Sequence, residues 1–269
     1  MNDQPLAADV AALQIHHSDR LPAVADGGVP LQVTTGTILR RTFEVTRRKF
    51  LLVMGVTAIC FLPNLALGFY MRHFAQIQTL DDAKSYGYTD MALRLLLAGI
   101  AAAPITYVVF MHMRGTSASL GEALRVGARR LVPAAITSFV AFLLGSMATV
   151  LLIVPGIIVF SMLNVAVPAV IIERVGVLGA LGRSRELTRG VRLQIFGTFL
   201  MLLLGLLAVA YVVGLVVGKP ETTDAGAIAS WVLNVCFGGL TAVAAAVTYH
   251  DQRLGKEGAQ TEDLARIFD

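Results

Sequence analysis

The chain has 269 residues, of which 56% are hydrophobic and 15% charged, with a formal net charge of +4. Soluble domains carry about 25% charged residues, so this composition excludes an ordinary soluble domain and marks an integral membrane protein. A basic balance in such a chain belongs to positively charged loops beside the membrane, not to nucleic-acid binding.

Residues 1–33 are polar and interrupted by Pro and Gly. They lack the basic leader and apolar core of a secretory signal and read as a flexible cytoplasmic tail. His16 and His17 have no third ligand at a usable spacing, so they read as a solvated pair and not a metal site. Residues 36–50 predict an amphipathic helix, with Leu39, Phe43, Thr46 and Phe50 on one face. Arg40, Arg41, Glu44, Arg47 and Arg48 occupy its other face. The helix leads into a first span over 50–70, which holds Pro63 and Asn64 and tolerates the proline as a kink. Residues 71–91 read as a polar, slightly acidic connection, with Tyr70, Tyr86 and Tyr88 suited to the membrane interface. The second span covers 92–112, and Arg94 snorkels from its end.

Basic character returns over 114–131 with Arg114, Arg125, Arg129 and Arg130. The apolar stretch 132–172 is too long for one span of about 20 residues. Pro155 followed by Gly156 predicts a tight turn near its middle, giving a hairpin with arms 132–154 and 157–172. The second arm is short, and a re-entrant loop is the alternative to a full span. Cys60 and Cys236 both sit in apolar segments, without neighbours that would support a disulfide, a metal site or a catalytic thiol.

Residues 168–192 (PAVIIERVGVLGALGRSRELTRGVR) separate two apolar segments. At 100° per residue, Val177, Ala180, Leu181, Ser184, Leu187 and Val191 fall in one arc roughly 120° wide. Arg183, Glu186 and Arg189 lie on the other side, Glu186 and Arg189 are spaced to pair at i,i+3, and Gly190 suits a helix end. Two readings follow: a cytoplasmic helix packed on its own bundle, or a lipid-headgroup or partner contact through Arg183, Arg185, Arg189 and Arg192.

The fifth and sixth spans cover 194–218 and 226–249. Gly214 and Gly218 form a GxxxG pair, which serves packing within the chain or a homodimer, and Trp231 is placed as an interface anchor. The basic residues set the orientation: seventeen Lys and Arg flank the spans on one side, against Arg72, Lys84, Arg94 and Lys219 on the other. The positive-inside rule then puts both termini in the cytoplasm.

A shift of 142 residues lays Ile38, Leu39, Arg41, Thr42, Glu44, Val45, Thr46 and Arg47 on Ala180, Leu181, Arg183, Ser184, Glu186, Leu187, Thr188 and Arg189. This suggests a repeated unit of one surface helix followed by a membrane hairpin, all units pointing the same way.

Two motifs carry a family resemblance. One is Pro168, Glu173, Gly176, Ala180, Leu181, Arg183, Ser184, Leu187, Thr188 and Gly190. The other is Tyr249, Asp251, Arg253, Lys256, Glu257, Gly258 and Glu262. From about residue 34 onward the chain resembles the membrane domain that accompanies some bacterial glycerophosphoryl diester phosphodiesterases and also occurs alone. The resemblance implies a multi-helix bundle of the bacterial inner membrane, and no activity for the domain alone.

A phosphodiesterase of that kind needs a soluble barrel of roughly 250 residues, for which the chain has no room. Its histidines, His16, His17, His73, His112 and His250, fall in tail, loop and helix ends. No HExxH, GxSxG, Walker or GxGxxG motif is present. His250 and Asp251 read as a cap on the last helix. The spans, as bounded above, hold no Asp, Glu, Lys or Arg between their ends, which argues against proton-coupled transport. Asn64, Asn164 and Asn234 are the main polar groups at depth, suited to interhelical hydrogen bonds or to a polar intramembrane site.

The expectation is an all-α polytopic membrane bundle of about six transmembrane helices with cytoplasmic amphipathic surface helices. It has a tail over 1–33, a membrane domain over 34–250 and a cytoplasmic tail over 251–269. The expected function is non-enzymatic: a scaffold, accessory or lipid-interacting protein of the bacterial inner membrane that contacts anionic headgroups, with no cofactor. The alternative is a transporter or channel for a small solute or lipid.

Overall fold

The structure, a computed structural model, describes residues 34–74, 79–217 and 223–258. The 1–33 tail with His16 and His17, Gly218, Lys219 and Glu262 lie outside the described residues. Among the described residues the chain is all-α: α1 (Thr35–Arg48), α2 (Phe50–His73), α3 (Leu80–Met113), α4 (Leu120–Arg129), α5 (Leu131–Leu151), α6 (Ile153–Leu163), α7 (Ala166–Ile172), α8 (Val177–Leu187), α9 (Arg192–Val217) and α10 (Asp224–Arg253). A π-helical turn, Leu254–Gly258, follows α10.

Six helical stretches are long and apolar enough to cross a membrane: Phe50–Met71, Lys84–Met113, Leu131–Leu151, Ile153–Ile172, Arg192–Val217 and Asp224–Glu257. This is the pattern of a multi-pass integral membrane protein. The fourth stretch has 20 residues, roughly 30 Å of helix and enough for a full crossing.

Three boundaries differ from the sequence reading. The polar segment before the second span is helical from Leu80, because Thr79 and Asp82 form a capping box and Asp81 and Asp82 sit in the first turn, where acidic groups favour a helix start. Asp90 and Arg94 therefore ride on a spanning helix, and the spans are not free of charge. The hairpin between α5 and α6 turns at Leu152, which is extended at φ −159 and ψ 139, and not at Pro155 and Gly156. Pro155 falls in the first turn of α6, where a helix needs no N–H, and the first helical bond comes from the next residue, Gly156 N to Leu152 O at 3.1 Å. Gly156 serves packing: a Cβ there would lie 2.0 Å from Thr149 Oγ1. Finally, the last helix runs past 250, and Asp251 and Gln252 are buried.

Pro168 also breaks the fourth crossing. It has no N–H for the carbonyl of Asn164 and its ring crowds that carbonyl, so α6 ends at Leu163 and α7 restarts at Ala166.

Two apolar clusters hold the bundle. In the first, Val53, Val56 and Phe61 of α2 meet Ile105 and Val108 of α3 and Val243 and Val247 of α10. In the second, Val170 of α7 and Ala180 and Leu187 of α8 pack on Tyr249. Helix α9 buries Ile195, Thr198 and Leu202, whereas Leu204, Leu207, Val212, Leu215 and Val216 beyond them are exposed, as residues facing lipid would be. Gly214 has nothing within 4 Å of an added Cβ.

Helices α1, α4 and α8 gather with the C-terminal turns of α10 at one end of the bundle, the basic end. The inner face of α1 is Ile38, Thr42, Val45 and Thr46, turned from the predicted one; Phe43 and Phe50 are half-exposed. Thr42 suits this buried face because its hydroxyl bonds back within the helix, Oγ1 to Ile38 O at 2.7 Å. In α8 the predicted stripe is buried at Ala180, Ser184 and Leu187. The 142-residue register holds in burial as well: Ile38, Thr42, Val45 and Thr46 are buried, as are Ala180, Ser184, Leu187 and Thr188.

Candidate functional site

The two motifs of the sequence converge at the basic end. The break at Pro168 frees the carbonyl of Met162, and α8 satisfies it: Ser184 Oγ donates at 2.7 Å and Thr188 Oγ1 lies at 3.3 Å. After α7 the chain reverses through Arg174, which adopts a positive φ of 55. The reversal carries α8 back so that Arg183 Nε donates to both oxygens of Glu173, at 2.9 and 3.0 Å. Tyr249 Oη donates to the same carboxylate at 2.8 Å. Arg183 Nη2 also reaches Glu257, which accepts from Arg253 Nε at 2.8 Å. Burial works against the Arg183 charge, but the Glu173 hydrogen bond and carboxylate outweigh it and hold the guanidinium pKa above its ordinary value.

Lys256 completes the lock. Its Nζ donates to the carbonyls of Glu186 at 2.6 Å and Arg189 at 3.0 Å, where the end of α8 leaves acceptors open and favours a cation. Gly190, at φ 91, turns the chain there. Glu186 lies 3.7 Å from Arg183 Nη1, so its described ion pair is to Arg183 and not to the predicted Arg189. In α1, Arg41 pairs with the buried carboxylate of Asp251. Asp251 thus ties α10 to α1 and does not cap its own helix.

The four arginines singled out in α8 and after it therefore part company. Arg183 is mostly enclosed, its side chain 24% exposed. Arg185 and Arg189 are exposed, and Arg192 is half-buried at the start of α9. Arg40, Arg47, Arg125 and Arg129 are also exposed at this end.

The three asparagines separate likewise. Asn64 Nδ2 donates to Asp90 Oδ1 at 2.7 Å, Arg94 Nε lies 2.7 Å from Asp90 Oδ2, and Arg94 Nη1 donates to Asn234 Oδ1 at 3.1 Å. One ion pair thus bridges Asn64 of α2 and Asn234 of α10 through α3. Sequence reasoning read Arg94 as snorkelling from the end of the second span and did not pair it with Asp90, although their i,i+4 spacing was the available signal. Trp231 fastens the same helices, its Nε1 donating to the Phe61 carbonyl at 2.9 Å.

Asn164 stands apart, at the break between α6 and α7. A cavity of about 380 Å³ opens among α3, α5, α6, α7, α9 and α10, and a second of about 480 Å³ lies between α6 and α9. Phe160, Asn164 and Phe199 line both, and no charged side chain lines either. Asn164 Oδ1 and Ser138 Oγ are two of seven buried side-chain polar atoms without a hydrogen-bond partner among the described residues. Also among the described residues, no group of three His, Cys, Asp or Glu is placed to hold a metal ion. No family model, curated protein or solved structure matches this chain.

Proposed function

We propose that this chain is a non-enzymatic, lipid-interacting protein of the bacterial inner membrane, with both termini cytoplasmic, related to the membrane domain that accompanies glycerophosphoryl diester phosphodiesterases. The supporting observation is the division of labour among the arginines of the basic end. Arg41, Arg183 and Arg253 are spent on internal carboxylates. Arg40, Arg47, Arg125, Arg129, Arg185 and Arg189 face outward, at the level where anionic headgroups would meet the bundle. Each basic residue near such a surface contributes about 1 kcal/mol. Anchoring helices through the inner arginines while presenting the outer ones gives a fixed cationic surface, suited to an accessory or scaffold role.

Native mass spectrometry of the purified chain with phosphatidylglycerol and phosphatidylcholine tests this. Arg185→Ala with Arg189→Ala should cut the preference for phosphatidylglycerol by about thirtyfold. An unchanged preference refutes it.

The cavities around Asn164 favour a second reading, a transporter for a lipid or an uncharged solute. In proteoliposomes holding a fluorescent lipid, bleaching of well over half the probe by an impermeant reductant would support lipid movement. Bleaching of half, as in empty liposomes, would dismiss it.

A further inference from the structure

We propose that the two cavities meeting at Asn164 are one intramembrane site for a neutral amphiphile: a single apolar chain bearing one hydroxyl. The proposal deepens the lipid-interacting function and rests on it, but uses none of the basic-end arginines.

The lining sets the chemistry. Both cavities lie among spanning helices, and neither has a charged side chain on its wall. An ionised headgroup would find no counter-charge there, whereas a hydrocarbon chain finds Leu95, Phe139, Phe142 and Phe199. The wall is not wholly apolar, because Asn164 Oδ1 and Ser138 Oγ are buried without partners. A buried polar atom is stable when a partner is supplied. A hydroxyl donates and accepts, so it suits the Asn164 amide whichever way that group is turned.

The fold keeps the space open. Pro168 ends α6 at the level of Asn164, and a broken spanning helix is where membrane proteins place ligand groups. The Phe160 ring is seated against Gly145, within 2.7 Å of where a Cβ would stand, so it is held in the wall and does not swing into the void. Access is lateral: Met91, Leu96 and Phe139 line the first cavity, and all three are exposed. A chain can enter from the lipid past these side chains.

The test uses the full chain in phosphatidylcholine nanodiscs, with hexadecanol carrying a mid-chain diazirine as the probe. After irradiation, crosslinks should concentrate in α5 and α6, around Phe139 and Phe160. Unlabelled hexadecanol should compete about tenfold better than hexadecane, since a site built for a hydroxyl rejects the analogue lacking it. Asn164→Leu should erase that preference while leaving the melting temperature of the protein in place. Ala135→Trp, which fills the first cavity, should abolish the α5 and α6 crosslinks. Crosslinks spread over the exposed part of α9 without competition would overturn the proposal, as would an alcohol preference that survives Asn164→Leu. The bilayer carries no anionic lipid, so failure here is read separately from failure of the arginine surface, which the phosphatidylglycerol measurement decides.

Discussion

Arg183 Nε lies 2.9 Å from Glu173 Oε1, across a reversal of ten residues that includes a positive-φ arginine. The pair joins the end of the fourth crossing to the surface helix α8, and Tyr249 and Glu257 join the end of the last crossing to the same pair. The ends of the fourth and last crossings and α8 are therefore one linked network and not separate loops.

Removing one member of that network leaves its partner charged and enclosed. The Glu173 side chain is 16% exposed and that of Arg183 24%, so the loss falls somewhat below that of a fully buried pair. Arg183→Ala should cost about 2–3 kcal/mol. Glu173→Gln added to it should restore part of the loss, as read by thermal unfolding in detergent. Additive losses would mean that the two side chains do not depend on each other.

Lys256 closes the open carbonyls of Glu186 and Arg189. Lys256→Met should cost about 1 kcal/mol and raise amide exchange over residues 186–192, with little effect in α2 and α3. Unchanged exchange there would remove Lys256 from the lock.

Two glycines are tests of packing. A Cβ at Gly156 would fall 2.0 Å from Thr149 Oγ1, and one at Gly99 would fall 2.5 Å from Ser138 Oγ. Gly156→Ala should destabilise by about 1–3 kcal/mol through overpacking, whereas Gly205→Ala, with open space around it, should not. Equal melting temperatures for the two variants would contradict the close approach of α5 and α6.

Helix α4 carries a pH-dependent cap. The Ser119 backbone N–H donates to the Glu122 carboxylate at 3.0 Å, and that bond, with the Ser119 hydroxyl beside it, lowers the Glu122 pKa from the ordinary glutamate value. A carboxyl whose folded pKa is depressed stabilises the fold above the ordinary value and loses that contribution as pH falls through the folded pKa. Amide exchange at the start of α4 should therefore rise on acidification below the ordinary glutamate range. Glu122→Gln should remove that step.

The sequence carried the class and the span count because hydropathy over about 20 residues is a strong signal. The buried stripe of α8 was legible for a similar reason, since Ala180, Ser184 and Leu187 repeat at the helical period. The motifs of the two halves were also readable, but their meeting was not. That Glu173, Arg183, Tyr249 and Glu257 share one site is a tertiary fact: Tyr249 bonds Glu173 across 76 residues of chain. The Asp90–Arg94 pair was missed because hydropathy starts a span at its first apolar run, whereas the capping box at Thr79 starts the helix. The turn at Leu152 was missed because proline and glycine punctuate turns in general. Here Pro155 opens a helix and Gly156 lets two helices touch.

The proposed orientation, with the basic end toward the cytoplasm, is tested most directly by cysteine labelling of spheroplasts, in a background where Cys60 and Cys236 are replaced by serine. Ser85→Cys, at the start of α3, should react with an impermeant maleimide from outside. Gly121→Cys in α4 and Arg185→Cys in α8 should react only after lysis. Labelling of Gly121→Cys or Arg185→Cys in intact spheroplasts, with Ser85→Cys protected, would invert the molecule and contradict the placement of its arginines against the inner leaflet.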